Sequence, residues 1–272
     1  MSAPILYESH SHTPLCKHAI GEPEEYAAVA EARGLKGIIF TCHAPLPGGF
    51  ASEVRMAPHQ FDDYVAMVAR ARAAFAGRVD VRLGLESDYY PGVEPWLEQL
   101  HARVSLHHVL GSVHYQMRDY RALFYRGDLA AYQAVYYEHL ALSAESGLFD
   151  TLAHPDLIKN EAPSQWDFEK MRPHIARALD RIAATGVAME LNTSGLLKAL
   201  PEMNPSPAQL VMMRERGIPV VVGADAHMPR RVGDGYVQAL KLLQAAGYDE
   251  VSYFLERKRR TVAITAALAS LH

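Results

Sequence analysis

The stretch PILYESHSH, residues 4 to 12, decides how this chain is read. Its first half is a short apolar run of β-forming residues and reads as a strand. Its second half sets two histidines two positions apart where that strand ends. Side chains two apart on an extended backbone face the same way, so His10 and His12 can grip one ion together. One His-x-His pair is common by chance. Its weight depends on what the other strands deliver.

Six more runs of the same kind follow, at 35 to 42, 78 to 87, 107 to 114, 149 to 154, 187 to 192 and 218 to 224. Between them lie helical patterns at 22 to 34, 59 to 77, 95 to 103, 128 to 147, 166 to 186 and 206 to 217, with another at 235 to 247 and a helical region around 249 to 269. Pro23 near a helix start, Gly34 and Gly77 at helix ends, and Ser206 before Pro207 punctuate the pattern. Strands this continuously apolar are buried on both faces, as in a parallel sheet covered by helices. Seven right-handed β/α units close most naturally into a barrel. An open doubly wound sheet is the alternative, but no glycine-rich phosphate loop follows the first strand. The expected fold is therefore a seven-stranded, TIM-like β/α barrel made by one domain, residues 1 to 272.

The strand ends carry the chemistry. The first runs into His10 and His12, with His18 in the loop beyond, and the second into His43. The third carries Glu86; the fourth and fifth end at His114 and His154; the sixth ends at Asn192; the seventh runs into Asp225 and His227. In a barrel these edges converge on one face, where active sites of that architecture lie. Imidazole and carboxylate together suit zinc, iron or manganese. One ion takes about four to six ligands, so nine candidates imply two or three divalent ions. Glu86 is the candidate carboxylate bridge. Cys16 and Cys42 flank this set, with thiolate ligation the lesser reading. His59, His101, His107, His108, His139, His174 and His272 fall on helices, strand starts or the terminus and read as structural or solvent-facing. The run Arg257 to Arg260 reads as a solvated helix face.

Composition narrows the function classes. A net charge of -4 gives no electrostatic footprint for nucleic acid. Two cysteines form no disulfide framework and suit a reducing compartment. No apolar run approaches the ~18 residues of a membrane span, and residues 1 to 12 lack the pattern of a secretory signal. A cytoplasmic enzyme acting on a small molecule is expected, without nucleic-acid or membrane partners; oligomeric state is not addressed by these features.

These residues resemble the polymerase-and-histidinol-phosphatase (PHP) superfamily of metal-dependent phosphoesterases, and within it the histidinol-phosphate phosphatases. The resemblance covers nearly the whole chain. It is carried by ESHSHTPLCKHA (8 to 19), HAPLP (43 to 47), GLESDYYPGVE (84 to 94), GSVHY (111 to 115), AHPDLIK (153 to 159), ELNTSG (190 to 195) and GADAH (223 to 227). It implies a distorted barrel and a trinuclear site held by His10, His12, His18, His43, Glu86, His114, His154, Asp225 and His227. Glu8 departs from the family pattern, which usually has Asp before the first histidine, and so does Cys42, where an acidic residue often precedes the second-strand histidine. The implied reaction is hydrolysis of a phosphate monoester, L-histidinol phosphate, by a metal-activated hydroxide. Asp225 or His227 would manage the proton. Lys159, Arg230 and Arg231, just past strands five and seven, are candidate phosphate donors. Glu8, Asp88 or Asn192 would meet a cationic amine or imidazole, and HAPLP would form a loop over the substrate. A phosphodiesterase of the same superfamily would need a basic groove. An amidohydrolase normally brings a lysine at a strand end. A non-catalytic metal-binding regulator would fail every hydrolysis assay.

Overall fold

A computed structural model of the protein describes residues 3 to 271, so His272 lies outside the described residues. Its centre is a nine-stranded sheet in which neighbours in sequence are neighbours in space. The seven expected strands are β1 (Tyr7–Ser11), β2 (Gly37–Phe40), β3 (Asp80–Asp88), β4 (His108–Ser112), β5 (Thr151–Leu152), β6 (Ala188–Asn192) and β7 (Val220–Gly223). They pair in parallel throughout. Parallel pairing puts all their C-terminal ends at one edge, and that edge carries the candidate site. At one side β1 pairs with β2; at the other, its end bonds to the segment after β7. His12 donates its backbone N–H to Ala226 (2.9 Å) and Ala226 donates to His10 (3.0 Å).

The chain does not stop at seven strands. The region 249 to 269, read above as helical, forms β8 (Glu250–Leu255) and β9 (Lys258–Ala263) before a short helix, α9 (Ile264–Ser270). β8 joins β7 in parallel, and β9 folds back on β8 antiparallel. The basic run therefore lies on a hairpin, not a helix. Arg257 is in the turn, bonded to Asp150 and to the Leu148 carbonyl, while Lys258, Arg259 and Arg260 are exposed on the edge strand. Charged side chains there discourage pairing with another sheet.

The connecting helices are α1 (Pro23–Ala32), α2 (Phe61–Ala74), α3 (Glu94–His101), α4 (Arg118–Phe124), α5 (Leu129–Glu145), α6 (Phe168–Thr185), α7 (Pro207–Glu215) and α8 (Tyr236–Ala245). Of these, α4 was not foreseen. Their starts are fixed by side chains that satisfy the free N–H groups of a first turn. Asp128, Asp167 and Ser206 accept from Ala131, Lys170 and Gln209. In α6, Met171, Ile175, Ala178, Leu179 and Ile182 form the buried stripe that a helix turns to a core.

The segment joining β2 to α2 contains HAPLP. Ala44 and Leu46 are buried, and the Trp96 indole donates to the Pro45 carbonyl (2.9 Å). Arg55 is 1% exposed. It donates to the Ala44 and Ala51 carbonyls and grips Asp88 at the end of β3 with two bonds, 3.2 and 2.8 Å. A buried guanidinium thus pins the loop to the sheet edge.

Candidate metal centre

Glu86 is the hub. It lies in β3 with 0% exposure, and five imidazoles approach its carboxylate. His43 Nδ1 and His10 Nε2 are 2.8 and 3.3 Å from Oε2, with His12 Nε2 at 3.6 Å. His154 Nε2 and His114 Nε2 are 3.0 and 3.5 Å from Oε1. The second carboxylate, Asp225, stands 3.1 Å from His12 Nε2 and 3.6 Å from His10 Nε2. His227 stacks on His12 and His18, with ring centres 3.9 and 4.5 Å apart, and His18 lies 5.4 Å from His43. All nine residues singled out in the sequence meet in one cluster. The strands explain it: β1 delivers His10 and His12, and each of the others ends within a few residues of its contribution. Two deliveries bend the backbone. His154 and Asp225 sit at φ +30° and +49°, a region that costs non-glycine residues energy and is found mostly at functional positions.

The electrostatics are those of a charge-neutralised pocket. Burial opposes ionisation of Glu86, but His43, His10 and His114 overcome it and hold the carboxyl well below its usual range. Asp225 is held low in the same way, by His10 and His12 against burial. Burial and the neighbouring His12 press His227 down to about 2, so this imidazole is neutral at physiological pH.

The donors fit a divalent metal. His10 Nε2, His12 Nδ1, His43 Nδ1, Glu86 Oε2, His114 Nδ1, His154 Nδ1 and His227 Nε2 are all buried without a hydrogen-bond partner. The short approaches of His43 to Glu86 and of His114 to Asp88 are contacts without hydrogen-bond direction. Each buried polar atom left so costs about 1–3 kcal/mol, and imidazole and carboxylate donors unpaired side by side suit a divalent cation. Ligand atoms of His10, His12 and Glu86 lie within 4.8 Å of one another, as do those of His43, Glu86 and His114, and of His12, His43 and His227. Cys16, Cys42 and His12 form a further such group; the Cys42 thiol accepts from Thr13.

Above the cluster opens a cavity of ≈ 510 Å³. Six of the nine residues line it, together with apolar Val54, Met117 and Leu157 and polar Gln116 and Lys198. A cavity of the same volume beside Arg214, Tyr248 and Arg259 holds no such cluster.

The model of the PHP domain family matches residues 8 to 194. The chain belongs to the PHP domain family. A protein of Deinococcus radiodurans named "Probable histidinol-phosphatase" is 38% identical over 257 residues, covering 91% of this chain and 96% of that one. "Histidinol-phosphatase" of Bacillus subtilis is 26% identical, covering 84% and 96%. Among solved structures, histidinol phosphate phosphatase of Lactococcus lactis subsp. lactis, complexed with zinc, L-histidinol and phosphate, superimposes with a TM-score of 0.78 at 18% identity over 94% of this chain and 98% of that one. At that identity the likeness speaks for the fold.

Within this PHP fold, several expected substrate contacts are displaced. Lys159 is fully buried and bonded to Asp156, Glu202 and the Met203 carbonyl, each at 3.0 Å. It braces the sheet edge instead of facing the cavity. Arg231 is paired with Asp234 (2.8 Å), and Arg230 is exposed beside Met228; neither lines the cavity. Asn192 is buried and donates to Glu190 and Asp225. Glu8 accepts from three backbone N–H groups and from Tyr236, and Asp88 is held by Arg55, so neither is free for an amine. HAPLP contributes His43, while the roofing residue of its loop is Val54. Three side chains escaped the sequence reading: Lys198, Arg55 and Glu190. Glu190 had a signal, a charge inside the otherwise apolar strand VAMEL. Arg55 and Lys198 had none.

Proposed function

We infer that the protein is a metal-dependent phosphomonoesterase that hydrolyses L-histidinol phosphate to L-histidinol and inorganic phosphate. The observation that carries the reading is the gathering of eight donor side chains around Glu86 beneath a cavity of ≈ 510 Å³. The substrate is proposed from the likeness to the Deinococcus and Bacillus relatives.

His10, His12, His18, His43, Glu86, His114, His154, Asp225 and His227 would hold two or three divalent ions, zinc, iron or manganese. Glu86 would serve more than one of them, since its carboxylate belongs to two of the donor groups. When bound, the ions act as Lewis acids, making water acidic enough to ionise near neutral pH and neutralising phosphoryl charge. The chain does the rest. Lys198, the lysine at the cavity wall, meets a phosphoryl oxygen and takes the role expected of Lys159, Arg230 and Arg231. Val54, Met117 and Leu157 exclude water from the leaving group's side. Asp225 or His227 would pass the proton taken from the attacking water to the departing alkoxide, so the alcohol leaves neutral. The sheet closes as a distorted β/α barrel through the β1 contact with Ala226, one domain of cytoplasmic type carries the site, and no nucleic acid or membrane is involved; among the described residues no helix is long and apolar enough to cross a membrane.

The test is phosphate release by metal-loaded protein from L-histidinol phosphate, other monoesters and a diester. Preference for L-histidinol phosphate is expected. Weak release from it beside strong release from another monoester would sink the substrate, and preference for the diester would sink the reaction class.

A further inference from the structure

Glu190 lies in β6, fully buried, and its carboxylate touches two arms of the cluster. Oε1 is 2.7 Å from His10 Nδ1. Oε2 accepts the backbone N–H of His154 (2.8 Å), the residue at φ +30°, and an amide N–H of Asn192 (3.0 Å). The Asn192 amide also reaches Asp225 Oδ2, at 3.4 Å. The fit is close: a Cβ at Gly223 of β7 would lie 2.1 Å from Glu190 Oε1 and 2.7 Å from the His10 Cβ. Oε2 already accepts two N–H groups, so the carboxylate is the acceptor of this pair and the ring donates from Nδ1. His10 Nε2, which has no hydrogen-bond partner, is then the nitrogen with its lone pair toward Glu86 and Asp225.

We propose that Glu190 is a positioning residue: it fixes the His10 ring and tautomer so that Nε2 faces the cluster bare, and it clamps the strained backbone of His154 in the same stroke. This rests on the reading of the cluster as a metal centre. A hydrogen-bonded carboxylate behind a ligating imidazole orients the ring and raises its basicity.

Glu190→Gln separates positioning from bulk packing. A carboxylate satisfies donors on both oxygens; an amide has one oxygen. Turned toward the two donors His154 N–H and Asn192, the Gln amide would present its NH2 to His10 Nδ1. That forces the imidazole proton to Nε2, where it blocks the lone pair. Affinity for cobalt, measured by chelator competition, is expected to fall roughly 10–100-fold, and the visible absorption of the cobalt-loaded protein is expected to change. Ile182→Val, a buried change in α6 remote from the cluster, is expected to lower the melting temperature with affinity and spectrum intact. Wild-type protein that takes up no cobalt would overturn the metal centre itself. Wild-type uptake with an unchanged affinity and spectrum in folded Glu190→Gln would overturn the role of Glu190 alone. Should that variant not fold, ring 15N resonances of zinc-loaded wild type decide: a proton on His10 Nδ1 is expected, and one on Nε2 contradicts the proposal.

Discussion

Glu86 carries no hydrogen on either oxygen in this environment, because the surrounding imidazoles hold its carboxyl well below the usual range against the effect of burial. Glu86→Gln keeps the size and removes the charge. It is expected to lose bound metal and to slow phosphate release by roughly 100-fold or more, since a metal's charge stabilisation is worth several kcal/mol and about 1.4 kcal/mol is tenfold. A variant with full metal content and near-normal turnover would show that Glu86 is not the bridge. Arg55 makes a different prediction. Its partner Asp88 is 3% exposed, so Arg55→Met leaves an uncompensated charge in the interior, a loss of about 3–5 kcal/mol in urea unfolding. A loss under about 1 kcal/mol would mean that water reaches Asp88 and the pair is not the anchor described.

The strands and helices were legible because each signal has a local cause. Buried parallel strands need continuous apolar runs, and Asp128, Asp167 and Ser206 cap helices whoever their neighbours are. The hairpin of β8 and β9 was not legible. Its turn residues, Glu256 and Arg257, adopt φ +53° and +59° without a glycine or asparagine, so the usual sequence mark of a tight hairpin is missing. What holds the turn is tertiary, the Arg257 grip on Asp150. The gathering of the nine donors was legible for the opposite reason: parallel strands oblige their ends to meet, so position along the chain implies position in space. Lys159 misled, since standing after β5 does not say whether a side chain faces the cavity or the Asp156 carboxylate. At β7 the packing gives its own test. Gly223→Ala drives a methyl into Glu190 and His10, and is expected to lose tight metal binding while the far-ultraviolet circular dichroism stays native. Unchanged metal affinity would show that β6 and β7 can part without consequence for His10.

Three histidines outside the cluster, His108 and His139 buried and His101 half-buried, are pressed toward the neutral form. His108 stacks on Phe254 and meets Thr151; His101 meets Ser87; His139 meets the Tyr120 hydroxyl at 2.7 Å. Burial presses them to about 3, 4 and 4 respectively. Their folded values lie below the unfolded 6.5, so the unfolded chain binds the extra protons. Their contribution to stability is therefore complete above about pH 6.5 and is lost as pH falls from there toward 4. His139→Gln should flatten the dependence of unfolding free energy on pH in that window, by up to roughly 1.4 kcal/mol per pH unit. An unchanged slope would mean that His139 titrates alike folded and unfolded.

Above all of this stands one cluster, in which eight side chains gather around the buried Glu86, the nine together delivered by six strand ends. Metal content per chain, measured by elemental analysis after purification without chelators, tests it most directly. Two to three equivalents of zinc, iron or manganese are expected, with the count falling in Glu86→Gln. Fewer than two equivalents in the wild type, after reconstitution with each metal, would contradict a multinuclear centre.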